Sequence, residues 1–190
     1  MLAITKYADR LDKDLDDVNY LEKIKIQQRN WIGKSEGSEI DFAIKNSNEK
    51  IKSFTTRADT LFGAFTVILA PEHTLISNLK SQITNWEVVN KYINDTKKKT
   101  DIERTDDGKD KTGVELKGIK AINPSNGEEI PVWIADFVLV QYGTGAIFAE
   151  MHDESAFAFA KKYKLTAKKT LEPIEITTSR PDAVHIDEPI

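Results

Sequence analysis

The chain has 190 residues, 39% hydrophobic and 31% charged, so a packed core is within reach and disorder is not the default. It has no cysteine, which excludes disulfides, thiolate nucleophiles and cysteine-ligated zinc, and fits a reducing, cytoplasmic setting. The formal net charge of −4 gives little nonspecific pull on nucleic acid, and no apolar run approaches the ~20 residues that span a bilayer, so no membrane partner is expected.

Leu2, Ile4, Tyr7, Leu11, Leu15 and Val18 recur at three- and four-residue steps, and predict an amphipathic helix over 3–17. The early acids and the missing apolar block argue against a signal peptide. A second short helix, "YLEKIKIQQRNWIG", is expected to stop near Gly33. "SEIDFAIKN" alternates Ile40, Phe42 and Ile44 as a half-buried strand does, and "KIKSFTT" reads as its partner across the turn "KNSNEK". "GAFTVILA" is too uniformly apolar for half-exposure and reads as a buried strand closed by Pro71. "EHTLISNLKSQI" and "NWEVVNKYINDTKKK" look helical, with Leu75, Leu79, Ile83, Val89 and Ile93 facing inward.

"KKKTDIERTDDGKDK" is dense in mixed charge and nearly free of apolar residues; it reads as a mobile surface loop or frayed helix end, not a site. Strands resume in "GVELKGIKAINPSNGEEIPVWIADFVLV", reversed at "NPSNG". "QYGTGA" breaks the chain after an apolar strand, and "DESAFAFAKKYKL" is a helix with Asp153 placed to cap it. The expected architecture is α+β: a mixed, barrel-like sheet with peripheral helices. Residues 1–33 read as leading helices, 34–170 as the main domain, and 171–190 as a return strand, a linker or an appended tail.

Two segments are loaded with chemistry, "TTRADT" and "YGTGAIFAEMHDES". Thr55, Thr56 and Thr60 are suited to orient a water or a carbonyl oxygen, and Arg57 to hold a carboxylate or phosphate. Asp153 is suited to hold an ammonium group, and His152 to relay a proton or bond a ribose. Plainer readings stand beside these. Threonines are ordinary strand formers, Arg57 and Asp59 make a plausible surface pair, and Asp153 is a natural helix cap. "GTG" is too short for a phosphate loop, and His73, His152 and His185 lack metal-ligand spacing, so no metal site is expected.

Longer strings go further. "TTRADTLFG" resembles T-T-R-P-D-T-L-F-G of leucyl-tRNA synthetases. "IPVWIADFVLVQYGTGAI" with "HDESAFAFAKKYKL" resembles that family's I-P-V-W-x-A-D-F-V-L-x-x-Y-G-T-G-A-V-M and H-D-x-R-D-x-E-F-A-x-K-Y-G-L. "IQQRNWIGKSEG" is similar to the lead-in to its inserted editing domain, and the resemblance runs in order from about residue 3 to 165. It implies post-transfer editing: hydrolysis of the ester of tRNA(Leu) mischarged with isoleucine, norvaline or a similar misfit. The implied partners are that mischarged acceptor end and the remainder of the synthetase in cis. No cofactor is implied for this domain; the full-length enzyme uses ATP and Mg.

By the same resemblance, Thr55 and Thr56 position the water and ester, and Thr60 crowds the branched side chain of leucine to protect the correct product. Tyr142 and Phe148 wall the pocket, while His152 and Asp153 lie beside the adenosine and amino acid. Three departures stand out. The family's proline is Ala58, the stretch before His152 is one residue shorter and reads Glu150–Met151, and the second aspartate of H-D-x-R-D is Ala156. In the family that aspartate grips the substrate's α-ammonium. Either Asp153, Glu154 or Glu150 substitutes for it, or the fold survives as a non-catalytic docking or structural insertion. A free-standing deacylase is disfavoured by the leading helices.

Overall fold

Alternation sets the sheet. In β1 (Ser38–Ile44) Phe42 and Ile44 are buried while Glu39, Asp41 and Ala43 face out or sit between, and β2 (Lys50–Thr55) pairs with it antiparallel. β3 (Thr66–Leu69) is buried at every position, as its unbroken apolar run requires. β4 (Gly113–Ile122), β5 (Glu129–Ala135) and β6 (Ala146–Ala149) complete a six-stranded sheet of order β2-β1-β4-β5-β3-β6. Only β3 and β5 run parallel; the other pairings are antiparallel. This computed structural model describes residues 4–106, 110–151 and 153–166. The tail at 171–190 and His152 therefore lie outside the described residues.

The sheet is barrel-like because its two edges meet. β2 and β6 end the strand order, yet the Ser53 hydroxyl donates to the Ala146 carbonyl at 3.1 Å, and a Cβ at Gly143 would touch Phe54. β4 bends to permit this curl. Its register slips between Glu115 and Lys120, where Gly118 has φ +97 and no room for a side chain against the Gln82 carbonyl.

One apolar cluster fills the sheet's inner face, from Phe42, Ile51, Val67, Leu116, Ile119 and Ile134. α3 (Thr74–Asn78), α4 (Trp86–Thr96) and the turn between them cover it, with Leu75, Leu79, Ile83 and Val89 buried and Ile93 packed alongside, as the sequence period predicts. A second cluster lies under α6 (Glu154–Tyr163), where Trp133, Phe159 and Tyr163 stack with Phe137.

Two expectations need correction. The first helix is shorter than 3–17: a 3-10 turn at Ile4–Tyr7 leads into α1 (Ala8–Asp14). Asp14, Asp16 and Asp17 place negative charge at its C-terminal end, where the helix dipole opposes it. α1 is tied to α2 (Glu22–Ile32) by Arg29, which bonds Asp12 and Asp16, and α2 stops at Gly33 as expected. The second correction is larger. The charge-rich stretch is not all loop: Asp101–Thr105 forms α5, with Arg104 buried. Thr100 and Glu103 close a reciprocal capping box, each accepting the other's backbone N–H.

Candidate functional site

The threonine segment leaves β2 and turns at once. Thr55 Oγ1 accepts from the Arg57 N–H at 3.0 Å, and the chain enters a 3-10 helix over Ala58–Gly63. Thr60 is buried; its hydroxyl donates to the Arg57 carbonyl at 2.9 Å. Thr56 is exposed, and among the described residues no protein group engages its hydroxyl. It is the threonine best placed to meet a water or a substrate. The far end of the helix is pinned by the "NPSNG" turn, where Asn123 donates to the Leu61 carbonyl and Asn126 to that of Phe62.

Arg57 makes the surface pair foreseen as the plainer reading. Its Nη2 lies 2.8 Å from Asp59 Oδ2, with both side chains more than half exposed. The hydrogen bond to Asp59, then the charge of Asp59, favours the charged guanidinium, and Glu150 adds a smaller pull. That influence matters structurally. Glu150 follows β6, so its charge comes from the segment that leads to Asp153. The Ser53–Ala146 bond and the Phe54–Gly143 contact join the strand end before the threonines to the start of the glycine-bearing segment at the β2–β6 seam.

The remaining candidates divide between two faces of β6. Phe148 points to the inner cluster, its ring 5.9 Å from that of Phe42. Tyr142 is 75% exposed and borders a cleft of about 570 Å³ with Ile102, Thr105, Phe137 and Ile147. Asp153 and Ala156 line an adjoining cleft of about 250 Å³ that shares Thr105, Phe137 and Ile147 and adds Lys111. Tyr142 and Asp153 thus border two clefts that share one wall of Thr105, Phe137 and Ile147. Thr55, Thr56 and Thr60 line neither cleft. Another cleft of about 570 Å³ lies beyond Phe62, among Glu115, Lys120, Glu128 and Lys164; none of the predicted site residues lines it, so volume alone does not mark the site.

Asp153 does cap α6: its carboxylate accepts from the Ala156 N–H at 2.8 Å. Ala156 is buried against Phe137 and Phe159 while its edge lines the small cleft. Among the described residues no cluster of three or more His, Asp or Glu could hold a metal ion, and no helix is long and apolar enough to cross a membrane.

Sequence reasoning missed Glu72, His73 and Arg104. The T-x-x-E capping box at Thr100–Glu103 was the available signal for Arg104; nothing local marks the other two. His73 Nδ1 accepts from the Leu75 N–H at 3.2 Å and so caps α3, while the ring lies against the loop at Gly145. With Nδ1 accepting, the neutral ring carries its proton on Nε2. Burial holds the imidazole below its ordinary range, and the nearby Thr144 backbone offsets this only in part. The stability consequence has a definite sign. Well above pH 6.5 the ring is neutral whether folded or unfolded; as the pH falls through that value, the unfolded chain protonates first and stability falls. Denaturation midpoints from pH 8 to 5 should show this decline, and His73→Asn, which keeps a capping side chain without titrating, should flatten it.

The comparisons with known proteins decide the lineage. The family model described as "Leucyl-tRNA synthetase, editing domain" matches residues 29–187, most of the chain. The chain belongs to that family. Among solved structures, the agnB2 LeuRS of Agrobacterium radiobacter K84, crystallised in a ternary complex with tRNA and LeuAMS, is similar at 31% identity with a TM-score of 0.73. The similarity covers 97% of this chain and 21% of that one, so this chain spans about a fifth of its relative's length. Family membership accounts for the mixed α+β architecture and for the ordered strings that surround the threonine segment and the β6 loop.

Proposed function

We propose that this chain edits: it hydrolyses the ester joining a wrong amino acid to the terminal adenosine of tRNA(Leu), as part of a longer synthetase. The observation that supports the reading is the β2–β6 seam, where Ser53 and Phe54, the residues just before the threonines, touch Ala146 and Gly143 on the path that leads to Asp153. The need is physical. A synthetic pocket separates side chains differing by one methylene by only ~1–3 kcal/mol, so a second, hydrolytic sieve is required.

In this reading the acceptor end lies across the seam and into the adjoining clefts bordered by Tyr142 and Asp153. Thr56 orients the attacking water, and Thr55, at the turn, steadies the ester carbonyl. Water adds to the carbonyl carbon, the ester C–O bond breaks, and the ribose oxygen leaves with a proton. Asp153 pairs with the α-ammonium, and Arg57, whose exposed pairing to Asp59 is easily exchanged, takes a phosphate. Tyr142 borders the bound end. No metal or cofactor is invoked here, and amino-acid activation with ATP and Mg belongs to the rest of the synthetase, which this chain joins in cis.

Thr60 is the specificity residue in this proposal. Thr60→Ser keeps the bond to the Arg57 carbonyl and removes one methyl group, so the fold should survive. Hydrolysis of Leu-tRNA(Leu), spared by the wild type, should then become measurable while Ile-tRNA(Leu) hydrolysis changes little. Unchanged discrimination would remove Thr60 from this role.

A second reading, a retained fold with a decayed site, is favoured by one observation: Ala156 stands where the family carries an aspartate. Ala156 is the third helical residue after the cap, where a carboxylate also suits the helix dipole. A charge-assisted bond is worth ~1.5–3 kcal/mol, so Ala156→Asp should raise kcat/KM about tenfold or more. A gain from an undetectable baseline would favour the decayed site; a gain over a working baseline favours editing with a weakened grip.

A further inference from the structure

We propose that Arg104 is a positioning residue for this site: with Glu72 and His73 it fixes the loop between β5 and β6 that presents Tyr142 and leads to Asp153. The proposal rests on the editing reading for its functional consequence. Its structural part stands on the following geometry.

Arg104 is the one buried cation among the described residues, its side chain only 6% exposed. Its guanidinium makes four bonds. Nη1 and Nη2 meet the two Glu72 carboxylate oxygens at 2.9 and 3.3 Å. Nε donates to the Asp136 carbonyl at 2.7 Å, and Nη2 to that of Val138 at 2.9 Å. Both carbonyls belong to the turn that follows β5. A buried ion pair is a poor device for stability alone, since apolar groups of the same shape serve as well or better. A planar, five-donor fork is instead a good device for fixing a backbone path.

The acceptor of that fork is followed directly by a second grip. The His73 ring stands 3.4 Å from where a Cβ of Gly145 would be. Gly145 has φ +71 and lies close to Val140 as well, so the loop folds tightly there. Residues 72 and 73 therefore hold the loop at both ends, one through Arg104 and one directly. Between the grips sit Tyr142 and Gly143, the latter against Phe54 beside the threonine segment. The loop's shape thereby sets the distance between the threonines and the strand to Asp153. α5, the charge-rich element that delivers Arg104, has a purpose that its exposed face conceals.

The test compares wild type, Arg104→Lys and the double variant Glu72→Leu/Arg104→Met, which removes both charges together and strands neither. Two readouts are taken: hydrogen exchange of amides 137–145, and kcat and KM for isoleucine release from Ile-tRNA(Leu). Expected is a double variant that melts near wild type, exchanges the loop amides at least tenfold faster, and loses tenfold or more in kcat with KM within about twofold. Arg104→Lys, which keeps charge but not the fork, should show the same changes to a smaller degree, and it carries the test if the double variant does not fold. Loop exchange and kcat matching the wild type in a folded variant would overturn the proposal. A wild-type chain that releases no isoleucine overturns the editing reading instead, and the exchange arm then decides whether Arg104 holds the loop.

Discussion

Asp153→Asn should slow isoleucine release by about tenfold to a hundredfold and leave the melting temperature nearly unchanged. Asparagine caps a helix about as well as aspartate, so the bond to the Ala156 N–H survives the change. What is lost is the negative charge. If that charge pairs with the substrate's α-ammonium, its removal costs ~1.5–3 kcal/mol of transition-state binding, and each 1.4 kcal/mol is about a factor of ten. Asp153→Ala removes cap and charge together and should add ~1 kcal/mol of lost stability. The pair of variants separates the two roles that the sequence left open. An Asn variant as fast as wild type would leave Asp153 as a cap and nothing more.

Phe159→Ala should destabilise the domain by ~3–5 kcal/mol, the usual cost of emptying a fully buried aromatic site. The ring meets Trp133 edge-on at 5.3 Å, Phe137 at 5.7 Å and Tyr163 at 4.6 Å. It also presses on Gly113, where an added Cβ would come within 2.9 Å of it. No neighbour can collapse into the space without breaking that stack. For a domain of this size the melting temperature should drop by roughly 6–20 °C, at about 2–4 °C per kcal/mol. Because α6 begins at the Asp153 cap, editing should weaken along with the helix's docking. A loss under about 1 kcal/mol in urea titration would show that the cluster repacks freely.

The strands and the covering helices were legible because burial writes a period. Phe42 and Ile44 alternate with Asp41 and Ala43, and the run at Thr66–Leu69 has no polar side to expose. The Asp153 cap was legible for a similar reason, as a short-range rule about one N–H. Arg104 was not, because its meaning is long-range. Its partners are Glu72, Asp136 and Val138, 32 to 34 residues away, and the charged neighbours around it gave the correct signal for solvent exposure. The β2–β6 seam was equally hidden. Nothing in either strand says that the first and last members of the sheet's order touch; that follows from the curl at Gly118. The strings in the threonine segment and after β5 announced the family, but the division of candidates between the two faces of β6 needed coordinates.

The account rests on one chemical act at that seam. Its most direct test is the time course of isoleucine release from Ile-tRNA(Leu) with the purified chain, run beside the uncatalysed ester at the same pH. The expected result is release well above the spontaneous rate, reduced by Thr56→Ala. Release at the spontaneous rate, with the chain folded and in excess, would contradict it.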